Sequence, residues 1–232
     1  MTDQLLVKDK DVVVPGETLA TGMTYVPAAG TYREGDNIIA SKLGLASVEG
    51  KVLKIVPLAD AYVPKVGDVV VGEVNDVMFS GWRISLMGPY SAVLSVKDAT
   101  SDFIGRGVDL TQYFGLGDYL FCKIVNVTSQ KLIDVTLRGT GLRKLQGGRL
   151  ITVNPAKVPR IIGREGTMAA MIQQATKTEI VIGQNGTIWV NGEPTMEMIA
   201  VKAIQMIEDH AHKSGLTQTM KTWLEQQIGG AR

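Results

Sequence analysis

Residues 160–177 read Arg-Ile-Ile-Gly-Arg-Glu-Gly-Thr-Met-Ala-Ala-Met-Ile-Gln-Gln-Ala-Thr-Lys, and two glycines three positions apart divide this stretch. Gly163 and Gly166 permit positive φ angles and the close approach of another backbone, which places Arg164 and Glu165 at the tip of a turn. The apolar residues after the turn recur at the spacing of a helix with one buried face: Met168, Met171, Ile172 and Ala175. The stretch therefore predicts two helices joined by an exposed glycine loop.

The loop has the properties of an anion-binding site. The N-terminus of the second helix offers unpaired backbone N–H groups and the positive end of the helix dipole, and both favour a phosphate group. Arg160 and Arg164 add full positive charges beside it. A simpler interpretation stays open, because two glycines three apart often mark only a tight turn between helices.

The surrounding sequence favours the anion-binding interpretation. Ile161-Ile162 precedes the loop, and two β-rich runs, 180–182 and 187–190, flank the hairpin signal Asn185-Gly186. The predicted order is strand, helix, loop, helix, strand, strand, helix. Over roughly sixty residues this resembles a K-homology (KH) domain, an α+β fold whose Gly-x-x-Gly loop clamps about four single-stranded nucleotides.

The KH resemblance implies a set of RNA-binding residues around the loop: Lys157, Arg160, Ile162, Gly163, Arg164, Glu165 and Gly166. Glu165 departs from the family pattern, since it places a carboxylate where such domains commonly carry a basic pair. We therefore expect the grip of this loop alone to be weak.

A run of like charges leads into the loop. No Asp or Glu occurs from Val135 to Arg164, while positive side chains recur at Arg138, Arg143, Lys144, Arg149, Lys157, Arg160 and Arg164. One interpretation is a solvated linker whose charges happen to share a sign. The other is a positive stripe that a nucleic-acid backbone meets before it reaches the glycine loop.

Composition restricts the class of protein. A chain of 232 residues with 45% hydrophobic residues and a net charge of +1 is typical of a globular protein, and it argues against one that coats nucleic acid indiscriminately. The charged N-terminus and the absence of an 18-residue apolar run predict a cytoplasmic protein without a membrane segment. The single Cys122 lies in an apolar strand-like run and is interpreted as a buried hydrophobic residue.

Residues 1–62 predict a small β domain with turns at Pro15-Gly16, Gly35-Asp36 and Glu49-Gly50. The predicted strands are Val12–Val14, Thr24–Val26, Asn37–Ala40, Leu45–Val48 and Lys51–Val56. The domain is similar to the N-terminal domain of archaeal exosome cap subunits through Val14-Pro15-Gly16-Glu17, Gly30-Thr31-Tyr32 and Ile39-Ala40-Ser41. So small a domain buries little apolar surface, so we expect it to dock on a partner.

Residues 63–143 predict a five-stranded OB barrel, with a Gly-Asp pair at 67–68 and again at 117–118 before the first and fourth strands. This module resembles an S1 domain, which binds single-stranded RNA with stacked aromatic rings and a basic groove. The fit is partial. The usual Phe-Gly-Ala-Phe run reads Ser80-Gly81-Trp82-Arg83, and the customary histidine of the third strand is Ser95.

Other residues of this module are therefore the candidates for RNA contact. Phe79, Trp82 and Tyr90 are candidate stacking rings, and Arg83, Lys97, Arg106 and Lys123 are candidate phosphate ligands. The opposing interpretation is that aromatic residues in a small barrel belong to its core.

The KH domain is predicted over 148–213, ending in a helix from Pro194 to Lys213, and a C-terminal helical tail over 214–232 contains a helix from Thr217 to Ile228. His210 and His212 lie two residues apart and do not face each other on a helix. No catalytic constellation, metal-ligand spacing or cofactor motif is found, so we expect a protein that is not an enzyme.

Domain order selects among families. A β domain, one S1 domain and one KH domain resemble the RNA-binding cap subunit of the archaeal exosome. The resemblance implies a non-catalytic subunit that sits, in three copies, on a hexameric ring of RNase PH-like subunits and passes single-stranded RNA 3′ ends to it for degradation and processing. The competing hypothesis is a freestanding S1/KH RNA-binding regulator of transcription or translation.

Overall fold

A computed structural model describes residues 3–58, 60–100, 105, 107–211 and 215–229. The chain divides into two compact units, Met1–Ala61 and Tyr62–Arg232. Each unit has its own hydrophobic core.

The first unit is a small β domain, as predicted. Its strands are β1 (Gln4–Leu5), β2 (Val12–Val13), β3 (Thr18–Thr21), β4 (Val26–Pro27), β5 (Thr31–Glu34), β6 (Asn37–Ala40), β7 (Gly44–Glu49) and β8 (Val52–Pro57). They form two sheets, ordered β1-β3-β6-β5 and β2-β7-β8-β4. The sequence does not predict β1, β3 and β5, because these short segments lack a run of alternating apolar residues. Val13, Leu19, Ile38 and Leu53 are buried at the centre.

The second unit begins with a closed five-stranded barrel, which confirms the predicted OB-like fold. Its strands are β9 (Val69–Met78), β10 (Gly81–Ser85), β11 (Ser91–Ser95), β12 (Tyr119–Val127) and β13 (Ile133–Thr136). β13 closes the barrel by pairing parallel to β11 and antiparallel to β12. A short helix, α1 (Val96–Ala99), follows β11. Cys122 lies inside the barrel, where burial raises the pKa of its thiol to about 12, as befits a buried hydrophobic residue.

Two equivalent turns lead into β9 and β12, at the two Gly-Asp pairs. The Gly67 amide donates to a carbonyl of β12 over 2.8 Å, and the Gly117 amide donates to a carbonyl of β9 over 2.9 Å. Each aspartate carboxylate also accepts the amide three residues before it, at 3.2 Å for Asp68 and 2.7 Å for Asp118. The turn before β9 is thus anchored to β12, and the turn before β12 is anchored to β9.

The remaining residues form an α+β domain in the predicted order. After β14 (Arg143–Leu145), which pairs with β12, come β15 (Arg149–Thr152), α2 (Val158–Ile162), α3 (Thr167–Thr176), β16 (Glu179–Ile182), β17 (Thr187–Asn191), α4 (Pro194–Asp209) and α5 (Leu216–Gly229). The sheet order is β15-β17-β16, with all pairs antiparallel. α4 ends at Asp209, short of the predicted Lys213, because His210 leaves the helical region at φ −106° and ψ 15°.

The sheet of this domain is covered on both faces. Ile188 and Val190 of β17 pack with the helices, while Trp189 faces the barrel and packs with Val71 and Leu145. The indole Nε1 of Trp189 donates to the carbonyl of Gly147 over 2.7 Å. The barrel and the α+β domain are therefore joined by an apolar interface.

Candidate nucleic-acid interface

The glycine loop breaks the helical path where the sequence predicts it. α2 ends at Ile162, Gly163 adopts φ 76° and ψ 175°, and Gly166 adopts φ 78° and ψ 7° before α3 begins. A Cβ at Gly163 would lie 2.8 Å from the backbone nitrogen of Met168, whereas a Cβ at Gly166 would meet nothing within 4 Å. The first glycine is thus required by packing, and the second by its backbone angles.

The loop presents its charged side chains to solvent. Arg164 and Glu165 are exposed, and Glu165 adopts a left-handed conformation, φ 53° and ψ 27°, that few residues other than glycine favour. Thr167 fixes the turn because its hydroxyl donates to the carbonyl of Arg164 over 2.8 Å. The N-terminus of α3 is therefore flanked by the positive side chain of Arg164 and the negative side chain of Glu165.

The other KH candidates lie on α2 and just before it. Arg160 is exposed, and Ile162 is half-buried against the helix-side core. The ammonium of Lys157 donates to the carbonyl of Glu208 over 2.9 Å. Lys157 is thus already engaged in holding the chain before α2 to the end of α4.

The run of positive side chains is not a continuous stripe. Arg143 forms an ion pair with Glu179 and lies over the Trp189 ring, with its guanidinium carbon 5.8 Å from the ring centroid. Lys144 forms an ion pair with Asp118 of the barrel. Acids from elsewhere in the chain thus neutralise the middle of the run, which the linear sequence does not reveal.

Trp82 is not a stacking platform, contrary to the prediction. Its side chain is 0% exposed, its Nε1 donates to the carbonyl of Phe114 over 2.9 Å, and its ring meets the Phe114 ring edge-on at 5.1 Å. The alternation of β10 turns Trp82 into the barrel and Arg83 outward. The interpretation of this residue as core is therefore correct.

The remaining barrel candidates do not converge. Arg83, Lys97 and Lys123 are exposed, but β9 lies between the strands that carry Arg83 and Lys123. Tyr90 is half-buried against the barrel core, and Arg106 lies outside the described residues. Arg83 and Lys123 are thus separated on the barrel surface.

Ser95 has a structural role at the position where the S1 resemblance expects a histidine. Its hydroxyl accepts the backbone amide of Asp98 over 3.2 Å and donates to the Asp98 carboxylate over 2.6 Å. Ser95 therefore caps the N-terminus of α1.

A second Gly-x-x-Gly run, Gly183-Gln184-Asn185-Gly186, carries only a hairpin signal in the sequence. Asn185 is buried, and its side-chain amide donates to the carbonyls of Val71 and Leu86 over 2.8 and 3.0 Å. Its Oδ1 accepts the amide of Val71 over 3.3 Å. Gln184 pairs with Val69 through both backbone and side chain, at 2.8 and 2.7 Å. This turn fastens the α+β domain to the barrel.

Comparison with known proteins agrees with this architecture. A family model described as "KH domain" matches residues 148–196, and one described as "Exosome complex exonuclease RRP4 N-terminal region" matches residues 12–49. The exosome complex component Rrp4 of Methanothermus fervidus is 44% identical over 225 residues, which span 97% of this chain and 99% of that protein. The chain belongs to the Rrp4 family.

Other known proteins are also similar to this chain. The exosome complex component Rrp4 of Pyrococcus horikoshii is 39% identical over 95% of this chain and 84% of its own length. A crystal structure of a protein provisionally named an exosome complex RNA-binding protein is 33% identical, with a TM-score of 0.67, over 75% of this chain and all of that chain. Within the described part of this Rrp4 family member, no group of three or more His, Cys, Asp and Glu is placed to hold a metal ion. No described helix is both long and apolar enough to cross a membrane.

Proposed function

We propose that this chain is a non-catalytic RNA-binding cap subunit of an archaeal exosome, which captures single-stranded RNA and feeds its 3′ end into a phosphorolytic ring of RNase PH-like subunits. The observation that carries the proposal is the match to a protein named as an exosome complex component over 99% of that protein's length. A match over whole chains supports the same assembly role, because the docking and RNA-binding parts are both included.

The proposal assigns a different task to each part of the chain. The barrel and the KH domain hold RNA, and the N-terminal β domain docks on the ring. Support for docking comes from apolar side chains that the N-terminal unit leaves exposed: Val12, Val14, Met23, Val26, Leu43 and Val56. We assign these side chains to the docking surface, because exposed apolar groups that lie together are typical of surfaces that a partner covers.

Several weak RNA sites suit such a subunit. We expect the exposed Glu165 to weaken the KH loop, and β9 separates Arg83 from Lys123 on the barrel. If three copies surround one entrance, each site raises the effective RNA concentration for the next, and the assembly binds more tightly than one copy. A strand held by weak contacts can also advance as its 3′ end is consumed.

Affinity purification of the tagged full-length chain from its own cells tests the proposal. We expect phosphorolytic RNase PH-like subunits to be recovered with it, in a ratio measured by mass spectrometry. Recovery of the chain without these subunits would support the freestanding regulator instead.

A substitution in the exposed apolar surface sharpens this test. Met23→Asp should abolish recovery of the ring subunits and leave RNA affinity unchanged, since Met23 is 69% exposed and its loss should not unfold the domain. Met198→Asp is the matched control, because Met198 is also an exposed methionine, at 51%, but belongs to α4. Equal recovery with both variants would contradict docking through this surface.

A further inference from the structure

The turn between β9 and β10 carries an unusually exposed aromatic ring. Phe79 is 88% exposed, the largest value among the exposed large apolar side chains of the described residues. Two-residue hairpin turns favour glycine, asparagine and aspartate, which suit the turn geometry and interact well with water. A phenyl ring at this position gains little from the free protein and is accessible to a ligand.

The backbone that carries this ring is held firmly. The amide of Val96 donates to the carbonyl of Ser80 over 3.1 Å. Gly81 packs so tightly that a Cβ would lie 2.1 Å from the carbonyl oxygen of Leu94. Beneath the turn, Trp82 is fixed by its hydrogen bond to Phe114. The ring thus projects from a pre-organised support, which reduces the entropy lost when a partner stacks on it.

The charges near the turn suit a polyanion. Lys97 is exposed and directly follows the residue that bonds to the turn, and Arg83 is exposed further along β10. The nearby acids are Asp76, opposite Arg83 on β9, and Asp98, which follows Lys97 and is bonded to Ser95. Arg83 and Lys97 are the exposed cations that can contact a phosphate backbone.

We propose that Phe79 is a base-stacking platform for single-stranded RNA, with Lys97 contacting the adjacent phosphate. The inference rests on the proposed function and names the part of the barrel that performs it. Ser80 and Arg83 stand where the S1 pattern has aromatic residues, and Trp82 is buried in the barrel. Phe79 would supply the exposed aromatic face that these residues do not. We favour a nucleic-acid base over a protein as the occupant, because the turn offers a single exposed ring and a hydrogen bond links the turn to the residue before the exposed, charged Lys97.

Fluorescence anisotropy of the full-length chain with a labelled oligouridine tests the inference. Phe79→Ala should weaken binding about 5- to 100-fold without changing the salt dependence, since stacking involves no counterion release. Phe79→Tyr keeps a stacking ring and should bind within about twofold of the unsubstituted protein. Lys97→Gln should reduce the slope of log affinity against log salt by about 0.7. An oligonucleotide of the same length without bases should bind the Phe79→Ala variant and the unsubstituted protein equally.

Three outcomes would overturn the inference. If the unsubstituted chain binds RNA and Phe79→Ala binds equally well, Phe79 does not stack on a base, although the proposed function survives. If Phe79→Ala binds RNA normally but no longer recovers the ring subunits, the ring is a protein contact. If the unsubstituted chain binds no RNA, the proposed function fails, and this inference fails with it.

Discussion

Residues 163–166 and 183–186 both read Gly-x-x-Gly and lie in the same KH domain, yet one run is a loop in solvent and the other is a buried turn against the barrel. The glycines allow both bends, so the side chains between them decide the outcome. Arg164 and Glu165 carry charges that are costly to bury without partners. Asn185 carries an amide whose donors and acceptor match the backbone groups of a strand. Spacing alone therefore predicts a bend but not its environment.

The largest expected effect comes from removing the buried amide. Asn185→Ala should lower the free energy of unfolding by about 3 kcal/mol, because backbone groups of Val71 and Leu86 would lose their partners where water cannot replace them. Urea unfolding followed by tryptophan fluorescence measures the loss. Glu165→Ala, at the same position of the exposed run, is the control and should change stability by no more than about 0.5 kcal/mol. Equal losses would show that the two runs are alike in structure.

The two glycines of the exposed loop should differ from each other. Gly163→Ala should cost about 3 kcal/mol, since it adds a clash with Met168 to unfavourable backbone angles. Gly166→Ala should cost about 1 kcal/mol, because its Cβ enters open space and only the left-handed conformation is unfavourable. Thermal unfolding of both variants provides the comparison, and a larger loss for Gly166→Ala would refute the packing role of Gly163.

The arginines at and beside the exposed loop should act on RNA and not on folding. Arg164→Gln should weaken binding a few-fold for every sequence tested and lower the salt slope by about 0.7, and adding Arg160→Gln should lower the slope further. Anisotropy titrations at several salt concentrations measure both quantities. Lys51→Gln, which removes one exposed positive charge from the other unit, should leave the slope unchanged. An unaltered slope in the arginine variants would exclude this loop from the RNA path.

The smallest effect is expected at the loop carboxylate. Glu165→Gln should raise RNA affinity about twofold, because removing one exposed negative charge changes a screened interaction by only a few tenths of a kcal/mol. Glu34→Gln in the N-terminal unit removes the same charge and should have no effect. A decrease in affinity with Glu165→Gln would mean that the carboxylate itself contacts RNA.

Much of the fold follows from local patterns in the sequence. The five barrel strands and the order of elements in the KH domain are confirmed, since alternating apolar residues, turn glycines and a helical stripe are properties of neighbouring residues. The N-terminal unit is less complete. Strands such as Thr31–Glu34 contain no apolar alternation and form only because β6 lies beside them.

The candidate site is predicted less well, because its environment is made by distant residues. Whether the Trp82 side chain points inward depends on which face of β10 lines the interior of the barrel. The ion pair of Arg143 depends on Glu179, which is 36 positions later. The role of Asn185 depends on Val71, which is 114 positions earlier. Such long-range contacts cannot be predicted from a short window of sequence.

Because β17 is buried on both faces, excising the KH domain from the chain would expose apolar side chains. A fragment that begins at residue 148 would retain every strand and helix of the KH fold but leave Val181 and Trp189 without the barrel that covers them. Such a fragment should self-associate through this apolar surface, so RNA affinities measured on an excised KH module would describe an oligomer and not the domain as it exists in the intact chain.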